Sequence, residues 1–159
     1  ISYTDSNVIQ SKYNISYELI NYNNYRIVEK LRSKQYVNDF KQMLKLGDIG
    51  VYAKINNKIV GYGWVKKKDS KDYFFKIDEF YLCRFYVHND FRGFNIYPNI
   101  INWLMTYIND NYCSSKFYIA VEAENNSSTR GVEKIGFNYI KTLNFYRLLK
   151  ITLNKYTLS

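Results

Sequence analysis

The residues best suited to chemistry form a short polar turn between two apolar segments, in "VHNDFRGFNIY", residues 87–97. The run before it is rich in β-branched and aromatic residues, and the run after it has apolar residues at helical spacing. A strand that enters a helix through a glycine turn presents unpaired backbone N–H groups at the positive end of the helix dipole. With Arg92 and Gly93, this arrangement predicts an anion site, most naturally for phosphates. A plain strand-to-helix connection is left open as the alternative.

A second polar segment, "NNSSTRGVEKIGF", follows further along the chain at residues 125–137. It places Asn125 at the end of a predicted buried strand, and Lys134 and Gly136 at the exit of a short helix. At this position the side chain of Asn125 can cap that helix.

The elements that must position these motifs follow from hydrophobic periodicity. Apolar residues at three- and four-residue steps predict one broken helix or two consecutive helices over residues 22–46. Two alternating runs flank the Asn-Asn pair at 56–57 and predict a hairpin over 49–67. Gly61 and Gly63 leave two positions of its second strand without a side chain, which indicates a bulge or the close approach of another backbone.

The rest of the chain predicts further strands and helices. Residues 73–87 form a long β-prone run, and Pro98 stands in the first turn of the next predicted helix. Residues 116–121 read as a buried strand, 124–137 as a short helix with polar caps, and 137–150 as a closing pair of strands. This order implies a mixed α/β sheet that is partly parallel where a helix crosses over.

Length, charge and cysteine content narrow the class of protein. A chain of 159 residues with 47% hydrophobic residues predicts one globular domain, and the absence of a long apolar run predicts a soluble, cytoplasmic protein without membrane contact. Two cysteines, Cys83 and Cys113, lack the spacing of a disulfide scaffold or a zinc site. The net charge of +9 predicts anionic partners. A lysine-rich run at 66–71 reads as a solvated hairpin tip, which makes nucleic acid the less favoured of these partners.

Together the two polar segments resemble the GCN5-related N-acetyltransferase (GNAT) superfamily. Its members combine Val-x-Pro-x-x-Arg-Gly-x-Gly-Ile-Gly after the fourth strand with a later Asn-x-x-(Ala/Ser)…Glu-Lys-x-Gly-Phe. The residues that fit the two elements are Val87, Arg92, Gly93 and Ile96, then Asn125, Ser128, Glu133, Lys134, Gly136 and Phe137. The resemblance is strongest over residues 49–149. Asn89, Asn95 and Tyr97 depart from it, since they replace the proline and the second and third glycines.

The resemblance implies a single N-acetyltransferase domain over residues 1–159, of the α+β class. Its mixed, mostly antiparallel sheet would have flanking helices and a splayed pair of parallel strands that holds acetyl-CoA as co-substrate, with no metal. The backbone of 85–87 would pair with the pantetheine arm, and N–H groups of 92–97 would hold the pyrophosphate. The residues implied to bind acetyl-CoA are Phe85, Tyr86, Val87, Arg92, Gly93, Phe94, Asn95, Ile96, Tyr97, Asn125 and Ser128.

The resemblance also implies direct attack of an amine on the thioester. The implied base is Glu79, at the start of the predicted fourth strand, with Glu122 at the end of the next strand as the alternative. An ordinary exposed carboxylate is left open as the interpretation of both. Val132 stands where the family has its tyrosine acid, so the thiolate would leave without help or another phenol, such as Tyr139, would supply the proton.

The resemblance leaves the acceptor and the partners broadly defined. The expected acceptor is a primary amine of a small molecule, with an amino sugar as the first candidate. The altered residues at 95, 97 and 132 keep a second function open, a catalytically degenerate GNAT-fold module that binds CoA, a protein partner or RNA. A homodimer is also left open by the sequence.

Overall fold

The computed structural model describes residues 9–66, 80–112, 116–146 and 150–158. Its strands are β1 (Ser16–Leu19), β2 (Ile49–Ile55), β3 (Lys58–Lys66), β4 (Phe80–Val87), β5 (Phe117–Glu122), β6 (Asn138–Tyr146) and β7 (Lys150–Leu158). Its α-helices are α1 (Gln35–Lys45), α2 (Ile96–Tyr112) and α3 (Asn126–Lys134), with 3-10 helices at Tyr25–Lys30 and Asn89–Phe91.

The strands form one seven-stranded sheet in the order β1-β2-β3-β4-β5-β7-β6. Every neighbouring pair is antiparallel except β4 and β5, which run parallel. These two strands pair only from Phe80 with Phe117 to Leu82 with Ile119, although β4 continues to Val87. The sheet therefore opens between them, which confirms the predicted mostly antiparallel sheet with a splayed parallel pair.

The helices cover the two faces of the sheet. On one face α2 buries an apolar stripe that includes Ile100, Ile101, Leu104 and Ile108, all fully buried against β2, β3 and β4. Each such side chain stabilises the fold by about 1.5–3 kcal/mol relative to exposure. On the other face α1 and the 3-10 helix Tyr25–Lys30 pack over a separate aromatic cluster.

The hairpin of β2 and β3 forms where the sequence predicts it. Asn56 and Asn57 have φ angles of 49° and 62°, so both adopt the left-handed conformation that a type I′ turn requires. Asparagine tolerates that conformation better than most residues. Of the predicted tip at 66–71, Lys66 is the last residue of β3, and the other residues lie outside the described ones, as does the first part of the predicted strand 73–87.

The region 22–46 forms two consecutive helices, which is one of the two predicted alternatives. Two other elements differ from the prediction in number or extent. Strand β1 was not predicted, because four residues pair too briefly to show an alternating pattern. The closing pair was predicted to end at residue 150, whereas β7 begins there and pairs with both β5 and β6.

Strand β4 contains a bulge opposite Gly63. Tyr62 pairs with Tyr86 and Trp64 pairs with Cys83, so Arg84 and Phe85 together face a single residue of β3. Arg84 has a φ of 51°, and a Cβ placed on Gly63 would lie 2.4 Å from the Phe85 ring. A bulge is therefore present opposite this glycine, while the predicted close approach of another backbone occurs at Gly61, where a Cβ would lie 2.7 Å from the carbonyl oxygen of Tyr86.

Within the ranges that the structure describes, no helix is both long and apolar enough to cross a membrane.

The buried tyrosines make the stability of the fold depend on pH in alkali. Tyr62 is 3% exposed, and burial raises its pKa to about 12, although the nearby Arg32 cation acts in the opposite direction. An unfolded tyrosine has a pKa of about 10. Because the folded chain holds this proton to higher pH, the stabilisation is complete below about pH 10 and is lost as pH rises through about 12.

We therefore expect the free energy of unfolding in urea to fall as pH is raised from about 10 to about 11. Tyr62→Phe should weaken that dependence, whereas Tyr22→Phe, at a side chain that is 60% exposed, should not change it. Parallel pH curves for the parent and Tyr62→Phe would contradict this account.

Candidate functional site

A cavity of about 560 Å³ lies beside residues 85–87 of β4, beyond the last residue that pairs with β5. This volume is in the range of ligand and cofactor sites. Its other walls are formed by the turn before α2, the first turn of α2, α3 with its N-cap, and Arg32. The predicted binding residues that line it are Phe85, Tyr86, Val87, Arg92, Gly93, Asn95, Ile96, Tyr97, Asn125 and Ser128.

The turn before α2 has the geometry of an anion site. Gly93 has a φ of +82°, which a side chain would rarely adopt. Among the described residues, none of the backbone N–H groups of 93–97 donates a hydrogen bond to a neighbouring backbone carbonyl. The Arg92 Nε donates to the carbonyl of Val87 at 3.2 Å, which ties this cation to the end of β4. These donors at a helix start suit phosphate oxygens.

Asn95 keeps the turn in shape although it replaces a family glycine. Its φ is 60°, so it occupies the left-handed conformation that the glycine would supply. Its side chain donates to the carbonyl of Gln10 at 2.8 Å and accepts from Lys134 Nζ at 3.1 Å. The substitution is therefore compensated by contacts from the N-terminal segment and from α3.

Tyr97 replaces another family glycine and packs between α2 and α3. A Cβ placed on Gly131 would lie 2.7 Å from the Tyr97 ring, so the ring fits only because residue 131 is glycine. The ring also meets Phe85 edge to face, at 5.2 Å between centroids. Burial raises the pKa of the Tyr97 hydroxyl, and its hydrogen bond with Ser128 acts in the opposite direction. Tyr97 thus adds a neutral phenol to the cavity wall.

Asn125 holds the start of α3. Its side-chain oxygen accepts from the backbone N–H of Ser128 at 3.1 Å, the geometry of a helix N-cap. The residue also lines the cavity, so it caps α3 and borders the cavity at the same time.

The described charged side chains that line the cavity are all positive. Its lining contains four cationic side chains, Arg32, Arg92, Arg130 and Lys134, and none of its described lining residues is acidic. Such a field attracts a polyanion. Sequence reasoning missed Arg130 as a site residue, although Arg130 and Lys134 are four apart on one helix and therefore share a face. Arg32 lies on a distant element and offers no local sequence signal.

Other predicted site residues do not line the cavity. Phe94 packs on Tyr13 with ring centroids 5.2 Å apart, and its carbonyl accepts from Ser11 Oγ. Glu122 is exposed at the end of β5, and its role as a base stays a prediction. Glu79 lies outside the described residues.

Metal ligands were not predicted from the sequence. Within the described ranges, no group of three His, Cys, Asp or Glu side chains is placed to hold a metal ion.

Comparison with known proteins gives a family match. The sequence matches the model of the Acetyltransferase (GNAT) family over residues 17–137, which is more than half of the chain. No curated protein sequence matches it significantly.

Several solved structures share the fold. yncA of Salmonella typhimurium, solved with its cofactor acetyl-CoA, has a TM-score of 0.70 and 13% identity, and the match covers 91% of this chain and 93% of that one. NAA60 of Arabidopsis thaliana, solved in complex with acetyl-CoA, has a TM-score of 0.71 and 16% identity, with 91% and 97% covered. The spermidine/spermine N-acetyltransferase SpeG of Vibrio cholerae has a TM-score of 0.70 and 11% identity, with 91% and 94% covered. At these identities the likeness establishes the fold alone.

Proposed function

Because the chain belongs to the GNAT acetyltransferase family, we propose that it transfers the acetyl group of acetyl-CoA to a primary amine of a small molecule, with an amino sugar as the first candidate acceptor. The observation that carries this proposal is the cationic cavity beside the turn at 93–97, with no acidic residue among its described lining. Support for a small amine acceptor comes from SpeG, which acts on spermidine and spermine.

In this proposal, different residues of the cavity bind different parts of acetyl-CoA. The N–H groups of 93–97 and the side chains of Arg92, Arg130 and Lys134 would hold the phosphates, since all of these residues except Phe94 line the cavity. Residues 85–87 of β4 have no pairing with β5, so their backbone is available to the pantetheine arm. The thioester then lies toward the bulge in β4.

The transfer itself is a single displacement. The neutral nitrogen of the acceptor attacks the thioester carbonyl, a C–N bond forms, and the C–S bond breaks. The nitrogen gives up one proton and the departing CoA thiolate takes one up. Val132 is fully buried where the family places a tyrosine, so this position offers no phenol to the thiolate. A thiol has a pKa of about 8.5, which makes the thiolate a good leaving group without an acid.

In this proposal the amine transfers its proton through water to Glu79, with Glu122 as the alternative base. The described lining of the cavity contains no carboxylate, so Glu122 is not placed for direct contact, and Glu79 lies outside the described residues. A base in contact with its substrate contributes about 10²-fold or more, and a base acting through water contributes less.

We expect Glu79→Gln to lower kcat/KM several-fold at about pH 7 and the deficit to shrink as pH approaches the pKa of the acceptor amine. At high pH the amine is already neutral, and the base is no longer needed. Glu122→Gln is the matched variant and should keep the parent pH profile. A profile altered only by Glu122→Gln would assign the base to that residue instead.

Release of the CoA thiol during incubation with acetyl-CoA and a panel of amines tests the function directly. The expected result is thiol release that depends on both the amine and the protein. Saturable acetyl-CoA binding without thiol release from any amine would favour a module that binds CoA without turnover, the second function that the sequence leaves open.

A further inference from the structure

Arg32 stands apart from the other cations of the cavity. It follows the 3-10 helix Tyr25–Lys30, on the sheet face that α1 covers, whereas Arg92, Arg130 and Lys134 belong to the start of α2 and to α3. It nevertheless lines the same cavity. The cavity therefore has a cationic group on each side of the open sheet.

Two tyrosine rings hold the Arg32 guanidinium in place. Its central carbon lies 4.4 Å from the ring centre of Tyr36 and 4.4 Å from that of Tyr86. One of its terminal nitrogens also donates a hydrogen bond to the Tyr36 hydroxyl. These contacts order the planar group and occupy ring faces that could otherwise attract an ammonium ion.

The charge of Arg32 is not neutralised by a described side chain. In the described part of the chain it forms no ion pair, whereas Arg84 on the same face is paired with Asp39 at 2.9 Å. A guanidinium has five N–H donors, and the Tyr36 hydroxyl takes one of them. The others suit a carboxylate or a phosphate, which the planar group can bind with two parallel hydrogen bonds.

The position of Tyr86 assigns this cation to the acceptor rather than to the cofactor. Tyr86 packs with the aromatic cluster under α1, while its neighbours Phe85 and Val87 pack with the core under α2. The phosphate turn at 93–97 belongs to the α2 side. A substrate that reaches the thioester from the opposite face passes Arg32.

We propose that Arg32 determines acceptor specificity, and that the acceptor is a primary amine that also carries an anionic group, a carboxylate or a phosphate. This inference rests on the proposed function. A polyamine is disfavoured, because its second ammonium would meet the Arg32 cation instead of a carboxylate.

Matched acceptors test this proposal by the rate of CoA thiol release. β-Alanine is compared with propylamine and putrescine for the carboxylate, and glucosamine phosphate with glucosamine for the phosphate. We expect kcat/KM to be at least about tenfold higher for the anionic member of an accepted pair, the range of a charge-assisted hydrogen bond. The pair that shows the difference identifies the anionic group.

Variants then assign the preference to a residue. Arg32→Gln should abolish the difference within the pair, with much smaller effects on the rate with the neutral amine and on the affinity for acetyl-CoA. Arg32→Lys should retain part of the preference. Lys30→Gln removes the same charge two positions away, at an exposed side chain that does not line the cavity, and should behave as the parent. Thermal unfolding of each variant confirms that it is folded.

Four results would overturn the inference. They are equal rates within each pair for the parent, faster reaction of putrescine, a preference that persists in Arg32→Gln, and loss of acetyl-CoA affinity in Arg32→Gln, which would assign the cation to the cofactor. Each of them leaves the proposed function standing. Absence of thiol release with every amine would overturn the proposed function and this inference with it.

Discussion

Calorimetric titration of acetyl-CoA should give a saturable curve with the parent chain and a dissociation constant at least about a hundredfold higher with Gly93→Glu. Nothing lies within 4 Å of a Cβ at this position, so the new side chain meets no steric clash. Its carboxylate would stand in the turn whose N–H groups at 93–97 are proposed to receive the phosphates. The effect therefore reports on charge and backbone conformation.

The magnitude follows from two contributions. Holding a residue other than glycine in the left-handed conformation costs about 1–2 kcal/mol. A like charge at about 4 Å costs about 1 kcal/mol in bulk water and about 4 kcal/mol near a protein surface. Near a protein surface the charge contribution alone exceeds the roughly 3 kcal/mol that corresponds to a hundredfold loss of affinity.

Gly47 provides a matched control for this prediction. Its φ of +79° is close to that of Gly93, nothing lies within 4 Å of its Cβ, and it follows α1 outside the lining of the cavity. Gly47→Glu should therefore show the same backbone strain with unchanged acetyl-CoA affinity. Gly93→Asn should retain most of the affinity, since asparagine tolerates the conformation without a charge. Parent-like binding by Gly93→Glu would show that the turn does not hold the phosphates.

The parts of this molecule that the sequence predicts are those whose signals are local. Asn56 and Asn57 define a turn type by their own backbone preferences, and they form it. The turn at 92–97 is likewise read from adjacent residues. Phe94 shows the limit of that reasoning. It was predicted as a binding residue because it lies between Gly93 and Asn95 in sequence, but its ring packs on Tyr13 instead of lining the cavity.

The remaining features depend on residues far apart in sequence. In the sequence, Tyr97 is a bulky residue in place of a family glycine. In the structure its ring fits because it packs against Gly131, which has no side chain. Arg32 enters the cavity only because the helices before β2 pack on the face that carries Tyr86. Neither pairing leaves a pattern in a single sequence. Strand β1 is missed for the same reason, since its four residues become a strand by pairing with β2.

The second large effect is expected at Gly63, opposite the bulge in β4. A Cβ there would lie 2.4 Å from Cε1 of Phe85 and 2.8 Å from Cγ2 of Ile100. Ile100 is fully buried and has no open space to enter, whereas the Phe85 ring packs against Tyr97 and borders the cavity, so the strain must push that ring toward the cavity. We expect Gly63→Ala to lower the free energy of unfolding in urea by about 3 kcal/mol, the upper part of the range for overpacked cores.

This strain should also reach the site, because Phe85 both contacts Gly63 and lines the cavity. Acetyl-CoA affinity is expected to fall in Gly63→Ala, and the double variant with Phe85→Leu should lose less stability than the sum of the single changes.

Gly47→Ala meets no neighbouring atom and should lose only about 1 kcal/mol from its backbone conformation. Equal losses in Gly63→Ala and Gly47→Ala would mean that the sheet accommodates the methyl group without moving Phe85. An additive double variant would mean that Ile100, not the wall of the cavity, bears the strain.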